Sequence, residues 1–156
     1  MLFRSYSYES ASRWTEKRRG LVECDQTTAP LEFSAPIEFQ GDAGYWTPEH
    51  LLLAAVSSCF ITTFRAIAEL SKFDMVALEV SAGGTLTKTK DGYEFSEIII
   101  RPMLTVAQEA QRERGLRLLE KAEHLCLISR SLKPAVKLRP LVEVEKLMAG
   151  AKPAGS

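Results

Sequence analysis

Residues 47–70, TPEHLLLAAVSSCFITTFRAIAEL, constrain the fold more than any other stretch of the chain. From Leu51 to Leu70, apolar residues fall on nearly every face of a helix, and such a helix is stable in water only when other elements cover it all round. Polar residues such as Ser57 and Arg65 interrupt the run, so it falls short of a membrane span. The segment therefore predicts a long central helix buried in a larger fold.

The start of this helix carries three agreeing signals. Thr47 is a suitable N-cap, and Pro48 suits the first helical position because the missing N–H of proline would have no partner there. Glu49 follows, where a carboxylate meets the positive end of the helix dipole. We therefore expect the helix to begin at Pro48.

Strand-like segments lie on both sides of the helix. FRSYSY, GLVECD and LEFSAPIEF precede it and are separated by turn residues. After it come two β-rich runs, 76–90 and 93–106, joined by an Asp-Gly pair that is typical of a hairpin turn. The glycine pair in the first of these runs indicates a bulge or a tight bend. These segments predict antiparallel sheets wrapped around the long helix, which is an α+β fold.

A second helix and a last strand complete the pattern. AQEAQRERGLRLLEKAEHLC is amphipathic, with Cys126 near the inner, C-terminal end of its apolar stripe. A short helix through LISRSL follows. AVKLRPLVEVEK then predicts a final strand, with Pro140 at a sheet edge or a bulge.

Length and charge limit the function classes. A chain of 156 residues fits one domain, which we expect over residues 1–146, with a disordered tail over 147–156. Twenty basic and twenty acidic residues give no net charge, which argues against nucleic acid or a membrane surface as partner. The N-terminal residues lack the apolar core of a signal peptide, so we expect a cytoplasmic protein.

Three cysteines, Cys24, Cys59 and Cys126, are too few and too widely spaced for a disulfide scaffold. No CxxC or HxxxH pair predicts zinc, and we expect neither a metal nor a bound cofactor. If the two long helices cross, the thiols of Cys59 and Cys126 could come within disulfide range. The alternative is that both cysteines only fill the core. Cys24 is interpreted as a structural strand residue.

The segment TPEHLLLAAVSSCF resembles the signature of the OsmC/Ohr family of thiol-dependent peroxidases. In that family a Pro-Glu pair at a helix start precedes the peroxide-reacting cysteine by ten residues, which is the spacing from Glu49 to Cys59. The order of strands, central helix, hairpin, second helix and final strand also fits the family. The similarity covers about residues 8 to 146.

A second segment, AEHLCLIS, resembles the part of the family that holds its second cysteine in a Cys-Pro-x-Ser pattern at a helix end. Cys126 and Ser129 match that pattern. Leu127 stands where the family usually has proline, which leaves the local geometry of Cys126 open.

The resemblance implies a role for each site residue. Cys59 would attack the hydroperoxide and Cys126 would capture the oxidised Cys59 as a disulfide. The family's active-site arginine comes from an N-terminal turn before a strand, where this chain offers Arg18 and Arg19, with Arg18 slightly favoured. Glu49 would hold that arginine in place.

The chemistry needs a thiolate, and an ordinary thiol with a pKa near about 8.5 is mostly protonated at neutral pH. Cys59 lies well inside its helix, so we expect the activating charge to come from a side chain, namely the arginine. Ten helical residues advance roughly 15 Å, so Glu49 and Cys59 of one helix cannot share a small site. An intertwined homodimer with sites at its interface would solve this, and the resemblance implies the same assembly.

The predicted function is reduction of organic hydroperoxides to alcohols through a Cys59 sulfenic acid and a Cys59–Cys126 disulfide, which an external thiol or dithiol then reduces. Two other functions stay open. The chain could be a non-catalytic OsmC-like protein that binds an apolar ligand in the dimer cavity, or a hot-dog acyl-thioesterase. The preference for organic hydroperoxides rests on apolar residues near Cys59, namely Leu51, Leu52, Val56 and Phe60.

Overall fold

The computed structural model describes residues 4–146. The chain divides into two compact units, one ending at Leu52 and the other beginning at Leu53. The expected single domain over residues 1–146 stays a prediction. The expected disordered tail, residues 147–156, lies outside the described residues.

The first unit contains a three-stranded antiparallel sheet. Its strands are β1 (Ala11–Glu16), β2 (Arg19–Glu23) and β3 (Leu31–Ser34), with β2 in the centre. The strand predicted over FRSYSY is wrong, because its described residues, 4–8, have no regular structure and are exposed. The segment alternates like a strand, but it does not pair with any described strand. The sheet begins only where Ala11 pairs with Glu23 of β2.

The long helix α1 covers Pro48–Leu70 and begins where the sequence predicts. The Thr47 hydroxyl caps it by accepting a hydrogen bond from the His50 N–H at 3.3 Å. Within the described chain α1 is not covered all round. Its buried residues form one stripe at helical spacing, and they are Val56, Phe60, Phe64, Ile67 and Ala68.

The second unit is built on a long hairpin of β4 (Ala77–Thr89) and β5 (Gly92–Val106). Gly92 occupies the turn with a φ of 127°, a conformation that favours glycine. The register shifts between Thr85 and Leu86, so the predicted bulge lies just after the glycine pair rather than at it.

Two helices and two short strands follow the hairpin. The helices are α2 (Arg112–Leu125) and α3 (Leu127–Ser131), and the strands are β6 (Ala135–Leu138) and β7 (Leu141–Val144). Both strands pair with β5 in parallel, because α2 and α3 carry the chain back before it re-enters the sheet. The α+β class and the long helix are confirmed, but this sheet is mixed and not purely antiparallel.

The core of the second unit lies between β5 and the helices. Its fully buried side chains include Phe60 and Phe64 of α1, Ile100 and Leu104 of β5, and Leu119 of α2. Each such side chain contributes about 1.5–3 kcal/mol to stability through burial. This packing holds the end of α2 and the start of α3 beside the middle of α1.

Candidate functional site

The junction of α2 and α3 holds Cys126. The residue adopts an extended conformation, φ −61° and ψ 113°, which ends α2 and makes Cys126 the N-cap residue of α3. Its side chain is fully buried. The first N–H groups of a helix have no partner within the helix. At this junction they are therefore free to bind a group outside α3.

Cys59 lies in the middle of α1, half-buried, and packs against the core cluster that contains Cys126. Both are free thiols, and the Cys126 thiol is within hydrogen-bonding reach of the Cys59 sulfur. The Thr63 hydroxyl, one helical turn further along α1, lies 4.0 Å from the same sulfur. The two cysteines that sequence analysis singled out are therefore neighbours.

The environment of Cys59 favours its thiolate. Burial by itself raises the pKa of this thiol. Hydrogen bonds from the Ile128 N–H, the Cys126 thiol, the Thr63 hydroxyl and the Leu127 N–H outweigh burial and hold the pKa of Cys59 below its usual value.

Cys126 behaves in the opposite way. Burial raises the pKa of its thiol, the Ser129 hydroxyl and N–H lower it, and the adjacent Cys59 raises it again, so that the net pKa lies above the usual value. Cys59 therefore ionises first and Cys126 keeps its proton, as expected for two interacting groups that share one site.

The arginine expected to activate Cys59 stays a prediction, but side chains are not the only groups that lower the pKa of this thiol. Two of the four groups that do so are backbone N–H groups at the start of α3, a helix other than the one that carries Cys59. Leu127 takes part in this arrangement through its N–H, which proline at the same position would lack.

Leu127 also leaves the geometry of Cys126 intact. The extended conformation of Cys126 is the one that a following proline would impose, and Leu127 itself is the first helical residue, where proline is favoured. The exchange therefore keeps the backbone that the Cys-Pro-x-Ser pattern requires and adds one N–H donor.

Of the two candidate arginines, Arg19 is the more firmly held. Its Nη1 donates to the Tyr45 hydroxyl at 2.7 Å, and its Nη2 lies 2.9 Å from Glu16 Oε1. Its Nε is 2.9 Å from Asp42 Oδ2, an ion-pair distance whose angle does not make a hydrogen bond. Arg18 is exposed, and its Nη2 donates to Gln40 at the longer distance of 3.3 Å.

Glu49 lies in the first turn of α1 and is half-buried. Its Oε2 atom is buried and makes no hydrogen bond to any of residues 4–146. A carboxylate oxygen in that situation needs a donor from elsewhere. Arg18, Arg19 and Glu49 belong to the first unit and the two thiols to the second, so the roles of these three residues stay predictions.

Other candidate residues are placed as follows. Val56 and Phe60 are fully buried in the core, so the idea that they line a substrate cavity is wrong. Cys24 directly follows β2, is half-exposed, and borders a surface groove lined by residues 7–11 and 23–30. In the described part of the chain, no three His, Cys, Asp or Glu side chains are grouped to hold a metal ion.

Four residues contribute to the site in ways that sequence analysis does not predict. Thr63 stands four residues after Cys59, a spacing that puts both on one helix face and could have indicated the contact. Ser129 was matched to the family pattern without a role. The N–H groups of Leu127 and Ile128 leave no mark in a pattern of side chains, so no motif could have indicated them.

The fold is α+β with one long helix, and it holds two adjacent cysteines. The protein is therefore a dithiol protein, with its two sulfurs close together where α3 starts beside the middle of α1. The chain belongs to the OsmC-like protein family, whose model matches residues 41–140.

Individual relatives agree with this assignment. The uncharacterized protein YmaD of Bacillus subtilis is 27% identical over 131 residues, which are 82% of this chain and 87% of the relative. An OsmC-like protein of unknown function from Vibrio cholerae superposes with a TM-score of 0.77 at 19% identity, over 88% of this chain and 100% of the other. An organic hydroperoxide resistance protein OsmC from Legionella pneumophila superposes with a TM-score of 0.72 at 22% identity, over 90% of this chain and 100% of the other. At these identities the two structures establish the fold.

Proposed function

We propose that the protein is a thiol peroxidase that reduces organic hydroperoxides to alcohols. The observation that carries the proposal is the pairing of Cys59 with Cys126 at the start of α3, where hydrogen bonds favour the Cys59 thiolate and leave Cys126 protonated. A peroxidase of this kind needs one low-pKa thiol beside a second thiol that can resolve it. The name of the similar Legionella pneumophila protein supports the substrate class.

The reaction has three steps. The Cys59 thiolate attacks the terminal oxygen of ROOH, the O–O bond breaks, and the alkoxide takes a proton to leave as ROH, with Cys59 oxidised to a sulfenic acid. The Cys126 thiolate then attacks the Cys59 sulfur, and hydroxide leaves and takes a proton to become water as the disulfide forms. An external thiol or dithiol reduces this disulfide by exchange and returns both thiols.

Arg18 is the arginine we assign to the thiolate. Arg19 already engages Glu16, Asp42 and Tyr45, whereas Arg18 has an exposed side chain with a long hydrogen bond to Gln40. A guanidinium keeps its charge at any working pH and can hold a thiolate and a carboxylate at once. Arg18→Ala should therefore slow the peroxide step more than Arg19→Ala does, once both variants are shown by circular dichroism to be folded.

The proposed working form is an intertwined homodimer. The expectation that the α1 segment falls short of a membrane span is wrong, because by length and composition alone α1 is long and apolar enough to cross one. In this chain, 28% of its most apolar stretch is buried. A second copy that covers the rest of α1 would remove this apolar surface from water. In the same dimer, an arginine could reach the orphaned Oε2 of Glu49. We assign the protein to the cytoplasm, where thiol reductants keep cysteines reduced.

The test is mass spectrometry of the reduced protein after one equivalent of cumene hydroperoxide. Wild type should lose two hydrogens, mapped to a Cys59–Cys126 linkage. Cys126→Ser should instead carry a sulfenic acid at Cys59 that reacts with dimedone, and Cys59→Ser should stay unmodified. An unchanged mass, or oxidation confined to Cys24, would refute the peroxidase.

The preference for organic hydroperoxides is tested by comparing two substrates. Hydrogen peroxide replaces cumene hydroperoxide in the same assay, and the second-order rate constants for Cys59 oxidation are compared. We expect the organic hydroperoxide to react faster, because the exposed Leu127 and half-buried Ile128 put apolar surface beside the sulfurs. Equal rates would contradict the assignment to organic hydroperoxides.

A further inference from the structure

Ser129 is buried beside Cys126 in the first turn of α3. Its side chain is 7% exposed, and its Oγ is buried without a hydrogen bond of good geometry to any of residues 4–146. The group that this hydroxyl does influence is the Cys126 sulfur. A buried hydroxyl without a full partner is costly, by about 1–3 kcal/mol, and calls for an explanation.

A thiolate at Cys126 would supply the missing partner. Ser129 is the third residue of α3, counted from Leu127, so its hydroxyl and its N–H lie in the helical turn that begins at the buried Cys126, and neither makes a hydrogen bond of good geometry to the neutral thiol. A neutral thiol is a weak acceptor, whereas a thiolate is a strong one, and a hydrogen bond to a charged group is about twice as strong as a neutral one. The hydroxyl is therefore placed for a charge that Cys126 does not carry at rest.

We propose that Ser129 is a positioning residue for the resolving step, whose hydroxyl donates to the Cys126 sulfur and makes Cys126 the nucleophile once Cys59 has been oxidised. This inference rests on the proposed peroxidase function and adds a role for one residue of the same site. The resting site holds its negative charge on Cys59, and that charge keeps Cys126 protonated.

Oxidation of Cys59 removes one of the two influences that raise the pKa of Cys126. The thiolate that opposes ionisation of Cys126 becomes a neutral sulfenic acid, with its two electrons transferred to the hydroperoxide. Burial still raises the pKa of Cys126, and the Ser129 hydroxyl and N–H now oppose burial alone. Cys126 loses its proton to water, attacks the Cys59 sulfur, and hydroxide leaves and is protonated to water as the disulfide forms.

The groups around Cys126 are consistent with this assignment. Burial, Ser129 and Cys59 are the strongest influences on its sulfur. Of the ionisable side chains nearby in the chain, His124 of α2 and Arg130 of α3 are exposed and Glu123 of α2 is half-buried. None of these three is among those influences, so Cys59 is the titratable group to consider.

The experiment compares Ser129→Ala with Ser131→Ala, both in Cys24→Ser protein. Ser131 is the matched control, because it lies in the same short helix but is exposed and donates to the Leu127 carbonyl at 2.9 Å. The rate of disulfide closure after a pulse of cumene hydroperoxide is measured from pH 5 to pH 10. The midpoint should move up by about one pH unit in Ser129→Ala, with roughly tenfold slower closure at neutral pH. Ser131→Ala should match wild type.

Two further measurements distinguish the role of Ser129 from a general folding defect and from a failure of the proposed peroxidase activity. Formation of sulfenic acid at Cys59, in a Cys126→Ser background, should be the same with and without Ser129→Ala, whereas a general structural defect would slow both steps. The lone Cys126 thiol of protein that carries both Cys24→Ser and Cys59→Ala, titrated at 240 nm, should ionise at higher pH when Ser129 is alanine.

The outcomes are distinct. If sulfenic acid never forms at Cys59, the proposed function fails, and the titration of the lone thiol still tests Ser129. If sulfenic acid forms but the midpoint for closure is equal in Ser129→Ala and wild type, the role of Ser129 is overturned while the peroxidase stands.

Discussion

At the scale of single residues, the reactivity of Cys59 depends on what replaces water around its negative charge. Burial alone would make this thiol inert, because removing a thiolate from water raises the pKa. Four donors compensate, and they come from α1, from the end of α2 and from the start of α3. Cys59 would otherwise be a small hydrophobic core residue, and these donors stabilise its thiolate.

The order of ionisation predicts which thiol reacts first. Because the pKa of Cys59 is lowered, its thiolate persists below the usual thiol range and is lost only as pH falls through that lowered pKa. The pKa of Cys126 is raised, so its thiolate appears only at higher pH. In Cys24→Ser protein, iodoacetamide at neutral pH should label Cys59 before Cys126, as read by peptide mass spectrometry. Equal labelling would contradict this order.

Leu127→Pro tests the backbone donor. Proline removes the Leu127 N–H but fits the first position of α3, so the helix should stay folded. We expect the lower apparent pKa of the thiol pair to rise by roughly half a unit, about threefold less thiolate, in a titration at 240 nm of Cys24→Ser protein. Leu127→Ala loses the same exposed side chain, keeps the N–H, and should titrate like wild type. Equal titrations for the two variants would refute the donor role.

Thr63→Val tests the side-chain donor. Valine keeps the shape of threonine without a hydroxyl. The Thr63 oxygen lies 4.0 Å from the Cys59 sulfur, and it lowers the pKa of Cys59 at least as much as the Leu127 N–H does. The pKa of Cys59 should rise by roughly half a unit. Thr62→Val is the control, since Thr62 donates to the Cys59 carbonyl at 3.0 Å and not to the sulfur. A larger shift in Thr62→Val than in Thr63→Val would show that helix packing, not the hydroxyl, controls the pKa.

The sequence indicates the two cysteines but not all the groups that lower the pKa of Cys59. Cys59 and Cys126 stand in motifs that resemble a known pair, so their proximity was predictable. The donors from Leu127 and Ile128 are main-chain groups, and any residue but proline supplies one. Only the position of α3 against α1 reveals them, and that position depends on packing throughout the second unit.

At the scale of elements, the site is a meeting of three helices. α1 supplies Cys59, the end of α2 carries Cys126 into the core, and α3 begins there with N–H groups that act on the two sulfurs. A disulfide between the two cysteines would join α1 to the α2–α3 junction and close a long loop of chain that includes the whole β4–β5 hairpin.

This loop closure makes stability depend on redox state. A disulfide across a loop of this length adds up to about 4 kcal/mol to the free energy of unfolding, because it reduces the conformational entropy of the unfolded chain. Any strain in the folded state subtracts from this amount. Oxidised protein should therefore unfold at higher urea concentration than protein kept in dithiothreitol. Cys126→Ser should show the same midpoint in both conditions. An oxidised form that is less stable than the reduced form would mean that the helices must separate to form the bond.

Element boundaries were predictable where a local signal was strong. Thr47 and Pro48 set the start of α1, and the Asp-Gly pair set the hairpin turn. The parallel pairing of β6 and β7 with β5 was not predictable in this way, because strand direction follows from the path of α2 and α3 through space and not from the composition of AVKLRPLVEVEK.

At the scale of the whole molecule, the open question is how Glu49 could act with Cys59. α1 is one unbroken helix, so the helical rise between these residues is roughly 15 Å. Glu49 has a buried oxygen without a donor among residues 4–146, and these residues leave much of α1 uncovered. Both features are accounted for if the Glu49 of one subunit serves the Cys59 of the other, an arrangement that a two-fold symmetric dimer would repeat at both sites.

Subunit mixing tests this arrangement directly. Glu49→Gln and Cys59→Ser homodimers should each be nearly inactive toward cumene hydroperoxide, because every site lacks one group. After the two are mixed, unfolded in urea and refolded together, half of the dimers are mixed, and one of their two sites combines Glu49 and Cys59. Activity should return to about a quarter of the wild-type value.

The control mixes Cys59→Ser with Cys126→Ser under the same conditions. Both of these residues belong to one site within a single chain, so no mixed dimer regains an intact pair and activity should stay absent. If the Glu49 mixture also stays inactive while size-exclusion chromatography shows dimers, Glu49 and Cys59 do not act across subunits. If Glu49→Gln alone keeps full activity, the buried carboxylate only caps the start of α1.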